Sequence, residues 1–291
     1  MDKRSTTLYA KSPSDILSSK GDYQMSADGV VIKNVAGVYR EASTDSEQVT
    51  QAVMGQSVRV LEDRNDWLHI ETWDTYTGWI QSRWISRNIP YPQNAILISS
   101  LFTDALKAPD PNSDILTKLV IITRLELISQ ENEWANVRLP DGREAWVQSK
   151  DIRQDVRISG ITGEDIIRTA KRFMGVPYLW GGTTPFGIDC SGFTQLVYKI
   201  NGIDLLRDAY MQAGDPRATL VDKTDLSSGD LVFFAKKDDK SKITHVGLSL
   251  GDGRFIHSAG GVGVTINRLD DEKYDNIYWG TRRMELNGTS T

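Results

Sequence analysis

The sequence predicts an α+β protein in which two small all-β barrels precede a domain where a helix packs on an antiparallel sheet. Three observations lead there. One pattern occurs twice in the first half at a constant offset of 67 residues. In the second half, apolar residues recur at helical spacing in two stretches, and strict alternation flanks Gly251-Asp252-Gly253 as it would in a hairpin.

A chain of 291 residues exceeds one ordinary core and suggests two or three units. The predicted division is an N-terminal arm at 1–29, barrels at 30–88 and 89–155, and the last domain at 156–291. Within the arm, MDKRSTTLYAKSPSD lacks the apolar run of a secretory signal, and no stretch of the chain is long and apolar enough to span a bilayer. The expected compartment is therefore the cytoplasm, or the periplasm or exterior if the chain is shortened at its start. A net charge of −5 argues against a nucleic-acid backbone as partner. Nothing points to an obligate protein partner. With one cysteine there is no internal disulfide, and one Cys with scattered histidines gives no closed metal set, so neither metal nor organic cofactor is expected.

In the repeat, VLEDRNDWLHI lies over LISQENEWANV, and Trp67 falls on Trp134, Trp79 on Trp146, Gln81 on Gln148, Ser82 on Ser149 and Ile85 on Ile152. Alternation at Val58 and Val60, or Leu125 and Leu127, marks strands, with turns at Thr77-Gly78 and Asp141-Gly142. The four repeated tryptophans are expected to fill barrel cores. Trp73, Tyr76 and Trp84 lack aromatic counterparts and are assigned to packing or ligand contact. His69, opposite Asn136 in the repeat, reads as a surface polar residue.

Past Ser159, Thr162 and Asp165 form a capping box before the helical pattern Ile166, Ile167, Ala170, Phe173 and Met174. A glycine-rich loop then leads to Asp189-Cys190-Ser191-Gly192 and a second helix with Phe193, Leu196, Val197 and Ile200 on its apolar face. Asp189 would cap this helix and Cys190 would occupy its first turn, where unpaired N–H groups and the helix dipole favour a thiolate. If Gly251-Asp252-Gly253 is a three-residue loop, Leu250 pairs with Arg254, Gly247 lies opposite His257, and His245 is its diagonal neighbour on the same face. Nucleophile, base and orienter then follow in chain order as Cys190, His245 and His257.

These residues resemble the NlpC-type family of murein peptidases, which are papain-like. The likeness runs from Pro177-Tyr178 through Asp189-Cys190-Ser191-Gly192-Phe193, Gly229-Asp230-Leu231-Val232-Phe233 and His245-Val246-Gly247 to Phe255-Ile256-His257-Ser258. It implies a Cys190, His245 and His257 triad, with Tyr178 and the Cys190 N–H at the oxyanion site. It implies substrate contacts for Asp189 and Ser191, and places Arg207 and Asp208 toward substrate carboxylate and amine, although Ala209 stands where some relatives carry serine. The barrels, ending in G-W-I-Q-S and A-W-V-Q-S, resemble bacterial Src-homology-3 domains.

The combination resembles γ-D-glutamyl-L-diamino acid endopeptidases, also called dipeptidyl-peptidase VI, in which the first barrel supplies a tyrosine and an acid selecting a free N-terminal L-alanine. Tyr76 matches the tyrosine, and Glu62 or Asp63 is assigned as the acid. The expected partner is a peptidoglycan-derived peptide, cut at the γ-D-glutamyl bond to release L-Ala-γ-D-Glu in wall recycling or turnover. Two alternatives are an amidase or acyltransferase using the same Cys-His pair, and a non-catalytic peptidoglycan-binding protein.

Overall fold

The computed structural model describes residues 28–87, 89, 92–156 and 158–286, so residues 1–27 of the predicted arm, with Pro90 of the predicted join, lie outside the described residues. The first sheet contains β1 (Gly29–Val31), β2 (Val35–Tyr39), β3 (Gln48–Val53), β4 (Ser57–Arg64), β5 (Trp67–Glu71), β6 (Thr77–Gln81) and β7 (Ile85–Ser86). The second contains β8 (Ala95–Ile98), β9 (Phe102–Leu106), β10 (Ile115–Val120), β11 (Arg124–Glu131), β12 (Trp134–Arg138), β13 (Glu144–Gln148) and β14 (Ile152–Gln154). Their strand orders, 3-2-6-5-4-1-7 and 10-9-13-12-11-8-14, are the same order displaced by one repeat. Even the turn chemistry repeats, since Asn65 and Asn132 both take φ of 54° between paired strands.

The tryptophans require a correction. Leu68, Ile70 and Ile80 fill the first barrel, and Ala135, Val137, Ala145 and Val147 the second. Because side chains alternate along a strand, these inward neighbours turn Trp67, Trp134 and Trp146 outward, where they are half-buried. Trp79 is buried, but as part of an outer layer in which it stacks on His69 at 5.0 Å. The inner positions are too narrow for indole because the barrels close on small and branched aliphatics.

The last domain begins with α1 (Gly163–Lys171), whose Thr162 and Asp165 form the expected capping box. A short ribbon, β15 (Thr183–Thr184) and β16 (Gly187–Ile188), leads into α2 (Cys190–Ile200), followed by the single turn α3 (Ala209–Ala213). Then come β17 (Ala218–Val221), β18 (Ser228–Lys236), β19 (Asp239–Leu250), β20 (Arg254–Ala259), β21 (Gly263–Arg268), α4 (Glu272–Asp275) and β22 (Tyr278–Met284). The sheet is antiparallel in the order 17-22-18-19-20-21. Phe193, Leu196 and Val197 of α2 pack on Val246, Leu248 and Ile256 of this sheet, which fixes the helix over the strands that carry the histidines. Among the described residues, no helix is long and apolar enough to cross a membrane.

The three parts share packing. Met54 of the first barrel is buried in the second barrel's core, and Leu101, Ile121 and Ile122 of the second belong to the core under α2. Gly55 sits at this join with φ of +81°, and a Cβ there would lie 2.0 Å from the Arg124 carbonyl oxygen. Its repeat counterpart Ile122 holds φ of 65°, a strained setting for a β-branched residue.

Gly55→Ala is expected to destabilise the protein by more than the ~1–2 kcal/mol that a left-handed backbone costs an L-residue. Gly142→Ala, with φ of +88° and open space around the Cβ, should cost that backbone amount alone. Urea unfolding of both variants checks the difference, and equal losses would mean the barrel join is loose.

Candidate active site

Asp189 caps α2 by accepting the Gly192 N–H at 2.7 Å, and Cys190 is the first helical residue. Cys190 is buried in the core that also holds Val246 of β19, the residue next to His245, and the Val246 and Ser191 N–H groups pull on its thiol. On the sheet, Leu248 pairs with Ile256 and Ser249 with Phe255, which is the register of a three-residue loop. Extended toward the site, that register sets Gly247 opposite His257. A Cβ on Gly247 would come within 2.8 Å of the Phe255 ring and 3.0 Å of the His257 Cβ, so only glycine leaves the rings room.

The two imidazoles meet as expected. His245 Nε2 lies 2.7 Å from His257 Nδ1, with the rings nearly perpendicular at 85°. His257 is 1% exposed, and His245 keeps one edge open. On the far side of His257, its Nε2 lies 2.9 Å from Asn267 Oδ1, and the Tyr274 hydroxyl is 3.4 Å from both. Sequence reasoning missed Asn267 and Tyr274. Asn267 could have been found by applying the loop argument a second time: His257 pairs with Thr265, which makes Asn267 its diagonal neighbour on β21.

Electrostatics correct one expectation. The helix start was expected to lower the thiol pKa, but burial, reinforced by the Asp189 carboxylate, pushes Cys190 up to about 12. The pull of the Val246 and Ser191 N–H groups and of Arg207 is smaller. Burial, with repulsion from His257 and Lys273, lowers His245 to about 3. Burial also lowers His257 to about 4, against the opposing hydrogen bond to the Asn267 amide oxygen. The thiol and both imidazoles are therefore neutral at rest, which leaves an imidazole free to accept a proton.

Arg207 is also a correction. The residue is 1% exposed, and its guanidinium grips both oxygens of Asp189 at 3.0 and 2.5 Å, the Ser191 hydroxyl at 2.9 Å and the Thr50 hydroxyl of the first barrel at 3.1 Å. With those donors engaged it anchors the helix start and is not available to a substrate carboxylate. Asp189 is filled likewise, accepting also from the Gly181 N–H at 3.0 Å, and Ser191 donates back to it at 3.3 Å. Both residues are buried and internally paired.

Asp208 and Tyr76 are brought together from different domains, Tyr76 Oη donating to Asp208 Oδ2 at 3.1 Å. Burial pushes the Asp208 carboxyl up, against the pull of Arg207 and the Tyr76 hydroxyl. Tyr178 is half-buried near Cys190, and burial together with the Cys190 and Asp189 charges raises its pKa, which keeps its hydroxyl a donor. Glu62 is corrected: it is exposed on β4 and paired with Arg64 at 2.5 Å, while Asp63 pairs with Arg87 at 2.7 Å. Both acids are exposed near the turn of the β4–β5 hairpin, where their partners are these arginines.

The first-barrel acids that do reach the last domain were missed. Asp74 Oδ2 accepts from Gln195 of α2 at 2.7 Å, and Glu47 Oε1 accepts from the Trp180 indole at 2.8 Å. Trp73 packs under Lys199, whose ammonium is 3.3 Å from the ring centre. Among the described residues, no group of three or more His, Cys, Asp or Glu side chains is arranged to hold a metal ion.

Residues 175–283 match the NlpC/P60 family, residues 34–86 the bacterial SH3 domain, and residues 94–153 the GW (Gly-Tryp) dipeptide domain. The chain is similar to a gamma-D-glutamyl-L-lysine dipeptidyl-peptidase of Bacillus cereus, 34% identical over 250 residues that span 80% of this chain and 74% of that protein. Dipeptidyl-peptidase 6 of Lysinibacillus sphaericus is 30% identical over 270 residues, spanning 84% and 93%. A crystal structure of an NlpC/P60 family protein from Bacillus cereus superposes with a TM-score of 0.80 at 28% identity, covering 88% of this chain and 99% of that one.

Two outcomes follow from the site's charges. Arg207→Gln leaves the Asp189 carboxylate buried without its cation and is expected to cost roughly 3–5 kcal/mol in urea unfolding; unchanged stability with a raised KM would make Arg207 a substrate ligand instead. Both site histidines titrate lower in the folded chain than the ordinary imidazole value of 6.5, to about 3 and about 4. Between about pH 6.5 and 4 the unfolded chain therefore binds more protons, and stability falls as pH falls through that window. The urea midpoint should drop from pH 7 to pH 5, and drop less in His257→Gln.

Proposed function

Because the chain belongs to the NlpC/P60 family and is a cysteine peptidase of the cell-wall class, we propose that it hydrolyses the γ-D-glutamyl–diamino acid bond of murein peptides bearing a free N-terminal L-alanine. The product is the dipeptide L-Ala-γ-D-Glu, in wall recycling or turnover. The observation that carries this reading is the hydrogen bond from Tyr76 to Asp208, which ties the first barrel to the residue beside the Cys190 helix. A partly buried carboxylate at that seam suits an α-ammonium group, which an acylated amine no longer offers. Supporting it, two relatives from different organisms bear dipeptidyl-peptidase names.

In the proposed reaction, His245 takes the Cys190 proton as sulfur attacks the γ-carbonyl carbon of D-glutamate. The developing oxyanion is met by the Tyr178 hydroxyl and the Cys190 N–H, which as the first helical residue has no partner within the helix. The protonated His245 then delivers its proton to the departing amine of the diamino acid, and the C–N bond breaks to leave a thioester. Water, deprotonated by His245, cleaves the thioester C–S bond, and the proton returns to sulfur. His257 holds the His245 ring throughout.

Incubation with L-Ala-γ-D-Glu-meso-diaminopimelate should release the dipeptide, read by mass spectrometry, and Cys190→Ala should release none. Asp208→Asn is expected to raise KM by about tenfold to a hundredfold, the worth of a hydrogen bond to a charged group of ~1.5–3 kcal/mol. N-acetylation of the substrate alanine should have a similar effect on the unmutated protein. Consumption of blocked muropeptides alone would overturn the amine pocket.

A further inference from the structure

The contacts of His257 continue beyond the triad in a way that sets where protons sit. His257 lies on β20 between two diagonal neighbours, His245 on β19 and Asn267 on β21. Its Nε2 faces the Asn267 carbonyl oxygen at 2.9 Å, and an amide oxygen carries no proton, so Nε2 must supply one. A neutral His257 then has a lone pair at Nδ1, which faces His245 Nε2 at 2.7 Å, and that nitrogen must be the N–H. The remaining nitrogen, His245 Nδ1, is left with a lone pair. It is the one state in which His245 can remove a thiol proton.

We propose that Asn267 is a positioning residue for the peptidase reaction, fixing the tautomers of His257 and His245 so that the base nitrogen is unprotonated at rest. The inference rests on the peptidase reading of the site but not on the identity of the peptide. Without Asn267 the tautomers are free to reverse. The Tyr274 hydroxyl, 3.4 Å from both Asn267 Oδ1 and His257 Nε2, now serves the amide oxygen as donor. With the amide gone it would donate to His257 Nε2 instead, and the chain of hydrogen bonds would run the other way, placing a proton on His245 Nδ1.

The surroundings favour neutral rings. Lys273 of α4 acts on both histidines, and Phe234 of β18 and Phe255 of β20 pack on the rings. Tyr274 comes from α4, and Cys190 and Asp189 come from the start of α2. An amide at position 267 orients His257 without charging it. A carboxylate there would hold a second proton on His257, which would then donate from both nitrogens and force His245 into the wrong tautomer until the pH rose high enough to remove it.

The direct test uses the unmutated protein labelled with 15N-histidine. Long-range 1H–15N spectra at neutral pH should show both His245 and His257 protonated at Nε2, and a proton on Nδ1 of His245 would overturn the proposal. In the variants, Asn267→Leu should lower kcat by about tenfold or more with KM nearly unchanged. Asn267→Asp should move the acid limb of kcat/KM, and of Cys190 alkylation by iodoacetamide, upward by about one pH unit or more. Limbs that stay in place in Asn267→Asp would reduce Asn267 to a structural role. The spectra and the alkylation need no peptide. If the unmutated protein failed to release the dipeptide while both gave the expected result, the substrate reading would fall and the tautomer relay would stand.

Discussion

The buried carboxylate of Asp189 is the point on which the rest of the structure depends. It accepts from the Gly181 N–H in the glycine-rich loop, the Gly192 N–H inside α2 and two nitrogens of Arg207. Through Arg207 it reaches Thr50 of the first barrel. Three pieces of chain therefore meet at one pair of oxygens, and a fourth, distant in sequence, joins them through Arg207. A buried ion pair of this kind contributes little net stability compared with an apolar substitute, but removal of either partner strands a charge. Its use here is placement: the cap sets the helix start, and the helix start sets the sulfur and its N–H.

The same burial that makes the placement firm decides the protonation states. A thiol at the start of a helix would, in an open setting, lean toward thiolate. In this cleft the cost of desolvating a charge exceeds what the helix end and two N–H groups return, and the imidazoles face the same cost. Both partners rest neutral, so the proton must move as the carbonyl is attacked, when the developing oxyanion meets its own donors. Neutral partners make tautomer the controlling variable, because a neutral imidazole is a base on only one of its nitrogens.

Legibility in the sequence followed the range of the physics involved. The repeat, the helix caps and the Gly251–Gly253 hairpin are local, and periodicity with turn length was enough to pair Gly247 with His257 and bring His245 beside it. The tryptophans misled because their size suggested a core, while the alternation of Leu68 and Ile70 around them already assigned the inward face. Arg207 misled for a different reason: a charged residue near a site reads as a ligand until its partners are known, and those partners, Asp189 and Thr50, lie 18 and 157 residues away. The acid of the first barrel was sought at Glu62 or Asp63, whereas Asp74 and Glu47 reach the last domain through docking that no spacing encodes.

That docking has a structural cost concentrated in one loop. Between β5 and β6, Thr75 holds φ of 62°, a left-handed setting unfavourable for a β-branched residue. The turn it makes sends Asp74 and Tyr76 in different directions from adjacent backbone. Asp74 bonds to Thr72 and the Tyr76 N–H on one oxygen and to Gln195 on the other, so the strained turn is clamped to α2. Tyr76 is thereby held out to Asp208. The barrel residue that meets the site is thus positioned by the same helix that carries Cys190 at its start. A shift of α2 would move the nucleophile and this wall of the cleft together, which ties the first barrel to the catalytic geometry.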